Sequence, residues 1–268
     1  MAEIEKEIER ARTASGEALT ELLYHHAPEV LLTLLGNPSL DEQKVCLLLA
    51  RKDLPAEVLE EIGARKNLLK NYAVKKALML HPRTPRLIGL RLLKDLYLMD
   101  LVQYTLLPSV AVELKLQAEA QIVGRMPQLP LGQKIALARR GPGRVAGALV
   151  AEGHPEVLKV ALDNAFLTEA QILKTLAREK VPVAAVQALC RHPKWSQMYN
   201  VRLALVRNPS APLATVLAFL PQLTVNDLGE LASPGIVPEN LRKYLQAEVQ
   251  RRMHASKNHP SLKGEADS

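Results

Sequence analysis

Cysteine is nearly absent from this sequence: Cys46 and Cys190 are the only two in 268 residues. Two thiols cannot build a disulfide framework, and no Cys-x-x-Cys spacing is present for metal or redox chemistry. Both read as small buried hydrophobes. Aromatic residues make up only 3% of the chain, so the stacking surfaces that single-stranded nucleic acid and splayed RNA bases require are missing. No apolar run approaches the roughly 18 residues that cross a bilayer. The opening stretch from Met1 to Arg10 is charged and lacks the apolar segment of a secretory signal. The expectation is a soluble cytoplasmic protein without membrane contact. Phosphate-cradling glycine loops, the Gly-x-Ser-x-Gly elbow and the His-Glu-x-x-His zinc pattern are all missing from the sequence. Its histidines, His25, His26, His81, His154, His192, His254 and His259, show no metal-ligand spacing. No metal, no cofactor and no enzymatic activity are expected.

What is abundant is leucine and alanine, with 48% apolar residues overall. That excludes disorder for most of the chain and, with so few β-branched and aromatic residues, argues against an all-β fold. Shifted against itself by 127 residues, the sequence matches without a gap. Ala27-Pro28-Glu29-Val30-Leu31 meets His154-Pro155-Glu156-Val157-Leu158. Tyr72, Val74, Ala77, Leu78, Pro82 and Pro85 meet Tyr199, Val201, Ala204, Leu205, Pro209 and Pro212. The shift yields roughly 30 identities between residues 2–126 and 129–253, where composition alone gives roughly nine. The predicted organisation is a first copy over 1–127 with an N-terminal cap helix, a second copy over 128–253 continuous with it, and a disordered tail over 254–268.

Each copy reads as short amphipathic helices of about 10–14 residues between proline joints. The leucines at 87, 90, 93 and 96, and those at 217, 220 and 223, are spaced for a helical stripe, so Leu90, Leu93, Leu217 and Leu220 are predicted core. Capping boxes are predicted at Ser39–Glu42, Thr168–Gln171 and Thr224–Asp227. Joints at Pro38, Pro82 and Pro127 lie 44 and 45 residues apart, a period near that of HEAT and armadillo repeats. About three helix pairs or triples per copy follow.

The segment Val201–Pro212, with its Asn208-Pro209-Ser210-Ala211-Pro212 turn, and its counterpart Val74–Pro85 resemble bacterial leucine-rich-repeat-variant and HEAT-like helical repeats. The resemblance implies an all-α fold, a right-handed α-solenoid, and a scaffold that binds a macromolecular partner on its concave face. Some leucine-rich-variant proteins carry an N-terminal iron–sulfur cluster on clustered cysteines. This sequence has no such cluster, so that cofactor is not carried over.

The remaining signal is charge. Lys and Arg number 35 against 28 Asp and Glu, a net +7. Acids and bases balance in residues 1–126, so the excess lies in residues 127–268. Residues 65–94 nevertheless hold Arg65, Lys66, Lys70, Lys75, Lys76, Arg83, Arg86, Arg91 and Lys94 without one acid. A second acid-free run, 121–151, holds Arg125, Lys134, Arg139, Arg140 and Arg144. From these runs Arg65, Lys66, Lys70, Lys75, Lys76, Arg83, Arg86, Arg139, Arg140 and Arg144, together with Trp195 and Arg202, are the candidate partner-binding residues. A protein partner is the first expectation. Duplex nucleic acid held by its backbone through residues 65–94 and 125–144 is the second. An enzyme of the HEAT-like DNA glycosylase kind would need an aromatic such as Trp195 beside an acid in a basic groove. Against these stand plainer readings: solvated helix faces for the bases, turn capping for His81, His154 and His192, and gap filling for Trp195.

Overall fold

A computed structural model describes residues 2–257, and these contain α-helices and 3₁₀ turns but no strand. The fold is all-α. Two compact units divide at Gln128 and Leu129. The first holds α1 (Ala2–Thr13), α2 (Gly16–Leu22), α3 (Pro28–Leu34), α4 (Glu42–Leu49), α5 (Ala56–Ala64), α6 (Tyr72–Leu80), α7 (Arg86–Leu92), α8 (Leu98–Leu106) and α9 (Val112–Arg125). The second holds α10 (Leu131–Arg140), α11 (Gly143–Glu152), α12 (Pro155–Ala161), α13 (Glu169–Leu176), α14 (Val183–Arg191), α15 (Tyr199–Arg207), α16 (Leu213–Phe219), α17 (Val225–Leu231) and α18 (Glu239–Lys257). Most helices run seven to ten residues, shorter than the spacing predicts. Prolines set their starts, and 3₁₀ turns such as Leu93–Asp95 and Leu220–Gln222 tighten their ends.

Helices of this length are marginal alone and draw their stability from packing. Within each unit they alternate between two layers. In the first, α1 packs on α3 and α3 on α5, while α4 packs on α6 and α6 on α8. In the second, α10, α12 and α14 form one row and α11, α13 and α15 the other. Three helices separate the Pro38 and Pro82 joints; along each row the packing neighbour is the helix two along, while chain neighbours such as α8 and α9, α11 and α12, or α17 and α18 also pack directly on each other. Gly63 marks how close such neighbours come: a Cβ there would lie 2.6 Å from Ile88 Cδ1.

Side chains tie these neighbours together. A helix ends in carbonyls without intrahelical partners, at the negative end of its dipole. Here donors from two helices further along satisfy them. The Asn37 amide donates to the carbonyls of Ala11 and Ala14, each at 2.9 Å. Asn164, 127 residues later, donates to Ala138 and Gly141 at 2.8 and 3.0 Å. Arg125 donates to Leu96 and Lys94 carbonyls at 2.7 and 2.9 Å. Arg252 does the same to Leu223 and Leu220 at 2.6 and 2.8 Å. The hydroxyls of Tyr72 and Tyr199 donate to Asp100 and Asp227 and accept the amides of Tyr97 and Thr224. Buried Asn37 and Asn164 also accept the amides of Ser39 and Phe166, turning the chain into the next helix.

Four local expectations change. Leu93, Leu96 and Leu220 are buried, but Leu90 and Leu217 are half-buried and Leu87 is 80% exposed. The buried face of α7 is Ile88, Gly89 and Leu92, because Pro85 sets the start of a helix only two turns long. The Thr168 capping box forms with Gln171, whereas α4 is capped by Asp41, which accepts the Lys44 amide at 2.8 Å. Ser39 instead belongs to the Asn37 turn. His154 caps nothing with its side chain. Finally, α18 continues to Lys257, so the first residues of the expected tail are helical, and residues 258–268 lie outside those described.

Candidate interaction surface

The basic run of residues 65–94 is mostly engaged within its own unit. Arg65 pairs with Glu61 and donates to the Leu35 carbonyl at 2.7 Å. Arg83 donates to the Asp53 carbonyl at 2.9 Å, and Arg91 to the Gly63 carbonyl. Lys75 pairs with Asp95 at 3.1 Å, Lys76 with Asp100 at 2.7 Å, and Arg86 with Glu113. What the sequence presents as a cationic stripe is largely a set of helix ties and ion pairs. Lys66, Lys70 and Lys94 alone in that run are exposed with no partner among the described residues.

The electrostatics of the ties follow their geometry. At Asp100, burial opposes ionisation, yet the hydrogen bonds from Lys76 and Tyr72 outweigh it and hold the carboxyl below its ordinary value. Burial and the same bond push the Tyr72 hydroxyl up to about 12. Arg51, which caps the Leu23 and His25 carbonyls at 2.5 and 2.9 Å, also draws Asp53 down to about 2 through its hydrogen bonds.

The second unit is different. Three of its loops are stitched into a row along one edge. Asn164 is bonded to Gly141, Trp195 donates from its indole to the Leu162 carbonyl at 2.8 Å, and His192 meets Asp163 at 3.1 Å. Gly143 makes the first contact possible, since a Cβ there would lie 2.1 Å from the Phe166 carbonyl oxygen. Along this edge Arg139, Arg140, Arg144, Arg191 and Lys194 are exposed, as is half of the Phe166 ring. Arg139, Arg140 and Arg191 meet no carboxylate among the described residues. The Lys194 ammonium sits 4.1 Å from the centre of the Trp195 ring, a cation–π contact.

Two candidates leave the surface. Trp195 is fully buried; its ring fills the space between helices and its only polar atom is bonded, so it offers no face to a partner or a flipped base. Arg202 is 7% exposed, bonded to the Ser196 carbonyl at 3.1 Å and laid against Phe219. A sequence shows an arginine's charge but not that its stem lies under the next helix. Groups with catalytic potential are likewise turned to structure. His81 accepts the Arg83 amide on Nδ1 and donates from Nε2 to the Arg51 carbonyl at 2.6 Å. Burial lifts the Cys190 thiol to about 11 and raises that of Cys46, which leaves both protonated and weakly nucleophilic at neutral pH. No three or more metal-ligating side chains converge among the described residues, and no helix among them is long and apolar enough to cross a membrane.

One feature escapes the sequence. A groove of about 480 Å³ runs between α12 and α14, over Leu158, Leu162, Ala184 and Ala188, and ends at Arg191, His192 and Pro193. The signal that could have revealed it is a substitution between the repeats: Ala184, Gln187 and Ala188 stand where the first copy has Glu57, Glu60 and Glu61. No family model, curated protein or solved structure matches this chain.

Proposed function

We propose that this chain is a HEAT-like helical-repeat scaffold, a right-handed α-solenoid of two tandem copies offset by 127 residues. It is non-enzymatic and binds an acidic protein partner through its second copy. The duplication is supported by the ties at Asn37 and Asn164, Tyr72 and Tyr199, and Arg125 and Arg252, which pair equivalent atoms at that offset. Each repeat leaves an apolar face that only its neighbour covers, which is the logic of stacked arrays. The two copies separated as residues 1–128 and 129–268 should each unfold at a lower temperature than the parent. Halves as stable as the parent would overturn the solenoid.

The observation that carries the binding function is the contrast between the two basic runs. Most cations of the first basic run, all but Lys66, Lys70 and Lys94, are engaged by carbonyls and carboxylates, whereas Arg139, Arg140, Arg191 and Lys194 of the second copy stand along one edge unpaired by any carboxylate among the described residues. Charge of one sign held out to solvent steers an oppositely charged partner. The test is capture from the native host on immobilised parent and on the variant R139E/R140E/R191E/K194E. A protein retained by the parent and lost by the variant, unchanged by nuclease, is expected. Failure of the parent to retain any protein would overturn the reading.

The same edge favours a second reading, contact with a duplex backbone. It requires retention on duplex DNA that falls steeply with salt. Retention unaffected by salt, or none, removes it.

A further inference from the structure

We infer that the groove between α12 and α14 is the docking site for an acidic amphipathic segment of a protein partner, its apolar side chains in the groove and its carboxylates on the rim. This inference rests on the protein-binding reading above and locates it.

The groove exists because α14 presents small side chains to α12. Ala184 and Ala188 lie one turn apart on the same helical face, and both are half-buried beside Leu158 and Leu162, which are buried. At about 480 Å³ the space lies within the roughly 300–1,000 Å³ typical of built ligand sites. It suits the side chains of a helix or an extended peptide that anchors at intervals.

The rim determines the sign of the partner. In the first copy the corresponding wall carries Glu57, Glu60 and Glu61, and Arg65 lies against Glu61 with its guanidinium on the Leu35 carbonyl. In the second copy all three acids are replaced by Ala184, Gln187 and Ala188, while Lys159 and Arg191 replace Leu32 and Ala64. The charge of this wall is thus inverted relative to its counterpart in the first copy. Arg191 has no carboxylate partner among the described residues, and Lys194 stands at the same end over Trp195. Lys159 is paired only with Glu156, one turn back on its own helix and exposed, a contact a partner carboxylate can exchange at small cost. Among the described residues the one further acid at this end, Asp163, lies 3.1 Å from His192 Nε2. A duplex would reach Arg191 and Lys194 from outside but would leave the apolar floor uncovered. A segment carrying both apolar and acidic side chains uses both.

The experiment measures fluorescence anisotropy of two short labelled helical peptides with the same leucine stripe, one flanked by glutamates and one by lysines. A labelled DNA duplex serves as the third probe. The parent should bind the glutamate peptide and not the lysine peptide. A188W, which fills the groove, and R191E, which reverses its rim, should each weaken that binding by about tenfold or more. Circular dichroism checks that A188W keeps its helices, and R191E, an exposed change, keeps the test valid if A188W does not fold. Glutamate-peptide binding unaltered by both variants would overturn the groove as the site. So would duplex binding by the parent without peptide binding. If the host partner of the previous section is captured equally well by A188W and R191E, the groove is wrong while the scaffold reading stands. If the parent captures no protein, the scaffold reading is what has failed.

Discussion

At the scale of single residues, polar side chains in this protein hold turns and helix ends. His81 is the case with a measurable pH consequence. Burial lowers its pKa below the ordinary value, and a second proton would go on Nδ1, where the Arg83 amide now donates. The folded chain binds that proton less readily than the unfolded chain. Stability is therefore complete above about pH 6.5 and declines as pH falls through the lowered value. The melting temperature should drop as pH falls below about 6.5, and H81N should flatten that drop. Asparagine at the equivalent Asn208 already accepts the Ser210 amide at 2.9 Å, so the turn survives the change. The depressed carboxyls of Asp53, Asp100 and Asp227 act in the same direction but only below about pH 4. Trp195 makes a second expectation. W195A should cost about 3–5 kcal/mol in urea unfolding, and, as the only tryptophan, it should resist quenching by iodide. Its structural role was half legible: the Pro193-Lys194-Trp195 setting suggests a gap filler, but the bond to Leu162 spans 33 positions, which no local pattern displays.

At the scale of helices, the ties predict which cations matter for stability. R125M and R252M each leave two carbonyls without their donors and should cost about 1–3 kcal/mol. R139M and R140M, which lose only solvated charge, should stay within about 0.5 kcal/mol. Thermal melts of the four variants distinguish these outcomes; equal losses would remove the distinction between tie and surface. Leucines separate in the same way. L93A and L220A should cost about 2–5 kcal/mol, and L87A should stay within about 0.5. Helix existence, the proline joints and the Thr168 cap were readable because each depends on residues within one turn of one another. The register of α7 was not. In a helix of two turns, leucines at 87, 90 and 93 fit a stripe as well as Ile88 and Leu92 do, and the choice is made by Gly63 and Leu114 on other helices. The arginine ties were invisible for the same reason.

At the scale of the whole molecule, composition fixed the all-α class and located the excess charge, but not the chemistry of its surface. Residues 127–268 carry the whole net +7, and their exposed edge, rather than the denser run at 65–94, should dominate the long-range field. R139Q/R140Q should therefore elute from heparin at lower salt than the parent by a wider margin than K66Q/K70Q does. Equal shifts would place the field elsewhere. The groove beside that edge could have been found by comparing the copies position by position, since Glu57, Glu60 and Glu61 have no acidic counterpart. What no sequence comparison supplies is that the vacated wall faces Leu158 and Leu162 across open space.

The reach of the helix ties has a kinetic consequence. They span between 23 and 33 positions, so among the described residues none of these ties waits for a distant stretch of chain. Such low contact order favours rapid folding by neighbour-to-neighbour growth. A ribosome needs to deliver only about two more helices before a given one is complete, so assembly can keep pace with translation at roughly 5–20 residues per second.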